Sequence, residues 1–164
     1  MTRVVVTGVG AVSPLGVGAG TLLERWVAGR SGIASGLGRC SDFDPGDLLT
    51  VKQQRRTDRF TQLAIAASTE ALAQAGLDAI DGIDRVRAAC VLGTGIGGLS
   101  IVEAEHDMLR DFGPERVSAL AVPRMMPNAA AGMVAMWHGL QGPAFGVVSI
   151  RRLVRIRRPT GIRQ

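Results

Sequence analysis

Residues 57–76 constrain the fold more than any other stretch of this 164-residue chain. Phe60, Leu63, Ala64, Ala67, Ala71 and Ala75 recur at helical spacing and share one face. Thr57 or Asp58 can cap the start, and Gly76 supplies the residue after the end. A helix with one apolar stripe must bury it against another layer. The runs Val86 to Leu92 and Ala144 to Ser149 read as strands that could form that layer, and Val4-Val5-Val6 reads as a buried strand because three β-branched residues stand in a row. Further helices are predicted from Thr21, as cap, to Ala28, over residues 100–111, and from Asn128 to His138, with Gly29 and Gly139 as stops. Residues 31–56 read as loop, with turn chemistry at Asp44-Pro45-Gly46. Strands alternating with helices predict a parallel or mixed sheet in a layered α/β fold.

Aromatic residues make up only 4% of the chain, so aliphatic side chains and alanine must fill the core. No apolar run reaches the length of a membrane span, and the first residues are too soon interrupted by glycine for a signal peptide; a cytoplasmic protein is expected. Cys40 and Cys90 stand far apart and form no CxxC pair, which points to neither a disulfide framework nor a zinc site. The formal net charge of +5 is unevenly placed. Six arginines and no acid fall in residues 151–164, while the preceding 150 residues carry 13 bases against 14 acids. Basicity therefore belongs to the tail and not to the domain.

Single motifs are weak here. Gly8-Val9-Gly10-Ala11-Val12-Ser13 follows a strand-like run, but Pro14 and Gly16 keep the chain in loop where a dinucleotide-binding turn must open a helix. Gly93 to Gly98 lacks the Gly-Lys-Ser/Thr ending of a phosphate loop, which favours a tight turn with close backbone packing. His106 falls on a solvated helix face, and His138 sits at a helix C-terminus where a cation suits the dipole. Cys90 reads as a small buried hydrophobe, and Cys40 has no visible base beside it. Ser149 is followed by Ile150 and Arg151 where a nucleophile elbow needs small residues. No dyad or triad can be assembled from these groups.

Taken in order, the segments are more specific. Val4 through Gly16, Gly29-Arg30-Ser31-Gly32-Ile33, Arg55 through Gln62, Gly93 through Gly98, Met126 through Gly132 and His138 through Pro143 resemble successive blocks of the elongating β-ketoacyl-[acyl carrier protein] synthases. The resemblance spans residues 3–149 and is strongest to the type II elongation enzyme. It implies the N-terminal half of a thiolase-like layered α/β/α fold, incomplete here, in a family that works as a homodimer with acyl carrier protein as partner and no metal or organic cofactor. It implies decarboxylative condensation through a cysteine at a helix N-terminus, assisted by two histidines from the C-terminal half, and it places Ile96 at the acyl pocket.

Two departures qualify it. The stretch between Ile33 and Phe43 is shorter than the family's, as though a strand-bearing segment were missing. After Ser149 the family continues through a small-residue stretch around its cysteine, but this chain has Ile150-Arg151-Arg152-Leu153, so Arg151 occupies the nucleophile position and the C-terminal half with its histidines is not represented. Residues 1–149 are thus read as the family domain and 150–164 as a basic tail outside it. With 18 arginines to one lysine, Lys52, the gene is expected to be rich in G and C, and an out-of-frame reading of such a gene yields an arginine-rich tail. The chain is expected to be inactive. Two alternatives remain: a non-catalytic binding or regulatory protein using the tail for nucleic acid, and a nucleotide-binding α/β domain at Gly8 to Ser13.

Overall fold

The computed structural model describes residues 3–77 and 82–148. Its centre is a parallel strand pair, β5 (Cys90–Thr94) and β6 (Ala144–Val148), in register from Cys90 opposite Ala144 to Thr94 opposite Val148. Two long helices stack on it: α6 (Ala129–His138) lies against both strands, and α3 (Arg59–Gln74) lies against α6. The core forms at that junction from Leu49, Ile65, Cys90, Ala131, Val134 and Ala135. With so few aromatic side chains, close helix approach comes from alanine, and Ala130 and Ala131 are completely buried.

Asp58 caps α3, its carboxylate accepting from Arg59 N–H at 2.7 Å. The most buried positions of this helix are Thr61, Gln62 and Ile65 rather than the expected alanine stripe, whose members are half-buried. The reason is a second neighbour. Residues 8–11 cross the other side of α3 so closely that a Cβ on Gly8 or Gly10 would overlap the carbonyl oxygen of Ala71 or Ala67. α3 is therefore covered on two sides and its apolar stripe is shared between them.

Other expectations need correction. Val4, Val5 and Val6 form no strand; Val4 is 94% exposed and Val6 83%, because no strand lies beside them among the described residues. The first helix, α1, runs over Ala19–Val27 with Gly18 as cap, so Thr21 lies inside it. It follows a minimal hairpin of β1 (Val12–Ser13) and β2 (Gly16–Val17). The stretch expected to be loop contains a second hairpin, β3 (Ile33–Ala34) and β4 (Leu37–Gly38), closed by Ser35 and Gly36, both at positive φ. That geometry suits a two-residue primed turn. A short helix α2 (Val51–Gln54) follows, held by a capping box between Thr50 and Gln53. β5 starts four residues later than the apolar run, since Arg85–Arg87 forms a 3₁₀ turn, and it continues through Thr94. α4 (Leu99–Phe112) and the short α5 (Ala121–Met125) complete the chain, the latter within a stretch read as loop.

The strand pair has two unlike faces. Cys90, Leu92 and Gly146 turn toward the helices, and Gly146 approaches the backbone of Pro127 and Asn128. Val91, Phe145 and Val147 alternate with them and are 60%, 49% and 48% exposed. One side of the sheet is bare.

Candidate functional site

Parallel strands present ligands at their carboxyl ends, outside the sheet. Here β5 runs into the turn Gly95–Gly98 before α4, while β6 carries the chain toward residues 149–151. The turn is fixed from both sides. Gly97 N–H donates to Thr94 Oγ1 at 3.2 Å, and Gly98 N–H donates to the carbonyl of Met125 at 3.1 Å. Gly97 takes φ +93°, and a Cβ there would lie 2.7 Å from Met125 O. Only glycine fits, and the turn serves close backbone packing. Asp58 reinforces it: the carboxylate that caps α3 also accepts from Ser100 Oγ at 2.9 Å, in the first turn of α4. A carboxylate beside this turn opposes a phosphate there.

Ile96 stands at the tip of the turn and is 62% exposed. Cys90 is buried in β5, where burial pushes its thiol pKa up and makes it a poor nucleophile. Cys40 is half-buried in a cleft with Arg39 and Arg59, and no histidine or carboxylate lines that cleft. His106 is exposed on α4, as its acidic surroundings suggested. His138 differs from expectation. Its Nε2 lies 2.9 Å from Ser68 Oγ, and burial lowers its pKa, so it is a neutral bridge between α6 and α3 rather than a cation on the helix dipole. Ser149, Arg151 and the remaining arginine tail lie outside the described residues.

Glu70 is the residue that sequence reasoning missed. Its carboxylate accepts from Ala11 N–H at 2.8 Å and from Ala19 N–H, at the start of α1, at 2.7 Å. Gln74 Oε1, one turn on, accepts from Val9 N–H at 2.5 Å. The glycine segment is thus strapped to α3, and the N-terminus of α1 already holds an anion. A nucleotide phosphate at Gly8 to Ser13 would meet that carboxylate. The spacing of Glu70 and Gln74, four apart on a polar edge of an otherwise alanine-rich helix, was the available signal.

These features define a layered α/β domain built on a parallel strand pair, whose glycine turns serve packing. Residues 37–150 match the family model described as Beta-ketoacyl synthase, N-terminal domain, and the chain belongs to that family. It is 35% identical to the 3-oxoacyl-[acyl-carrier-protein] synthase 2 of Coxiella burnetii, over 90% of this chain and 38% of that protein. Identity to the corresponding synthase 2 of Staphylococcus aureus strain N315 is 39%, over 86% of this chain and 37% of that protein. The chain therefore spans less than two-fifths of the curated relatives it matches. Among solved structures, a type II polyketide synthase ketosynthase complex with its acyl-carrier protein, bound to the hexaketide, superposes with TM-score 0.72 at 26% identity, over 86% of this chain and 40% of that one. The fold is accordingly the thiolase-like ketosynthase fold, in its N-terminal part. The arginine-rich residues 151–164 lie beyond the family match.

Proposed function

We propose that this chain is the N-terminal portion of a 3-oxoacyl-[acyl-carrier-protein] synthase of fatty-acid or related polyketide elongation, and that as written it lacks the nucleophile. The observation that supports this most is the family match over residues 37–150, which takes in β5, α6 and β6. In such an enzyme a thiolate attacks the acyl thioester, the carrier thiol leaves, and an acyl-enzyme thioester forms. Malonyl thioester then loses carbon dioxide, its carbanion attacks the acyl group, and the enzyme thiolate is released with the 3-oxoacyl product. Arg151 stands at the nucleophile position, and a guanidinium that stays protonated offers no such electron pair. Ile96, exposed at the turn, would line the acyl chain's path once covered.

Three parts of this reading concern assembly and origin. A homodimer covering exposed apolar surface is the working form, in the cytoplasm. Among the described residues no helix is long and apolar enough to cross a membrane. Acyl carrier protein is the partner, and Lys52 on α2 and Arg55 at its C-terminal cap, both exposed and without an ion pair among the described residues, offer a cationic contact for it. Residues 150–164 are an out-of-frame reading of a gene rich in G and C. Incubation of the purified chain with acyl-ACP, read by intact-mass spectrometry, tests the loss of the nucleophile. No covalent acyl adduct is expected; a thioester on Cys40 or Cys90 with turnover of malonyl-ACP would overturn the reading.

A further inference from the structure

Trp26, on α1, is 66% exposed, and α1 itself has no buried residue. A large indole is seldom left in water, so its setting needs a reason. Gly29, at φ +69°, turns the chain at the end of α1, and residues 30–33 return beside the helix. Gly32 then presses on the first hairpin so closely that a Cβ there would lie 2.4 Å from Pro14 O. The result is a groove in two joined parts that share Pro14, Leu15, Arg30 and Ser31. One part, of about 300 Å³, is apolar, with Leu22, Trp26 and Ile33 along it. The other, of about 370 Å³, adds Arg25 beside Arg30. No carboxylate lines either part. Arg25 is engaged, donating to Leu15 O at 2.5 Å and to Asp42 at 3.5 Å. Arg30 is exposed and has no ion pair among the described residues.

An apolar wall containing an indole, with a free cation at its end, is the complement of a planar aromatic anion. We propose that this groove binds such an anion, of the class of an arenecarboxylate, with the ring against Trp26 and Ile33 and the carboxylate at Arg30. The groove has the volume of a small-molecule site. An aromatic ring gains by offset stacking on indole beyond the area it buries, and a guanidinium fork can meet both carboxylate oxygens. The site is separate from the turn that carries Ile96, since no residue of that turn lines it. It requires neither Arg151 nor any condensation chemistry.

Isothermal titration of the full chain with 2-naphthoate, beside 2-naphthamide as the uncharged control of the same shape, tests this. One-to-one saturable binding is expected, with naphthoate about fivefold tighter than naphthamide, as one exposed ion pair implies. Arg30→Gln should remove that difference and leave naphthamide unchanged. Trp26→Leu, at an exposed position, keeps an apolar side chain but removes the stacking face, so both ligands should weaken about fivefold. Equal affinity for the two ligands, wild-type naphthoate affinity in either variant, or no saturable binding at all would overturn the proposal. Loss of self-association in the Trp26→Leu protein would give the groove to a second copy of the chain and would overturn it as well.

Discussion

The carboxylate of Glu70, in the middle of α3, caps the backbone N–H of Ala19 at 2.7 Å and so starts a helix 51 residues earlier in the chain. The same carboxylate holds Ala11 N–H, so the loop between residues 11 and 19 is pinned at both ends by one side chain. Hydrogen bonds to a charged acceptor contribute about 1.5–3 kcal/mol when buried, and these are partly exposed. Glu70→Ala should therefore lower stability by about 2 kcal/mol in chemical denaturation. Glu70→Gln, which keeps one acceptor oxygen, should lose less. Equal stability of all three proteins would show that the strap contributes nothing.

The Ser68–His138 bridge makes stability depend on pH. Ser68 Oγ donates to Ile65 O at 2.9 Å, so the neutral imidazole donates from Nε2 to the hydroxyl. Burial lowers the folded pKa below the ordinary value of 6.5. Between the two values the unfolded chain binds more protons than the folded one, so stability is full above about 6.5 and falls as pH drops from there toward the folded pKa. Urea midpoints measured from pH 8 to pH 5 should show this decline in the wild type. In His138→Gln the decline should shrink, and an unchanged slope would assign it to other groups.

Val91 and Phe145 sit directly opposite one another on the bare face of the strand pair, with Val147 beside them. Exposed apolar surface on a sheet face drives association. The isolated chain should self-associate at micromolar concentration, and Phe145→Lys should shift it toward monomer in sedimentation velocity. A monodisperse wild-type monomer with a sharp two-state melt would contradict this.

Much of the architecture was legible because it depends on local signals. The Asp58 cap, the Gly76 and Gly139 stops and the short run from Ala144 act over a few residues, and each element they mark is present. What failed depends on partners distant in sequence. Val4-Val5-Val6 has the composition of a strand, but composition cannot show whether a neighbouring strand exists to pair with it. Thr21 looked like a cap because no local pattern reveals that Glu70 caps that helix from elsewhere. His138 was assigned a charge from its helix position, whereas burial beside Ser68 decides its state. At the site, Ile96 could be placed on its turn from sequence, and Gly97 and Gly98 explain the turn itself.

We propose that a ketosynthase reading frame is lost near residue 150. The family match ends there, six arginines without an acid follow in residues 151–164, and 18 arginines to one lysine indicate the coding bias that makes such a tail. Sequencing the gene across and beyond codon 150, and translating all three frames, tests this most directly. A shift of one or two bases should reveal a small-residue stretch around a cysteine, and further downstream two histidine-bearing motifs. If every frame beyond codon 150 lacks ketosynthase-like sequence, the frame-loss account is wrong and the arginine tail belongs to the protein.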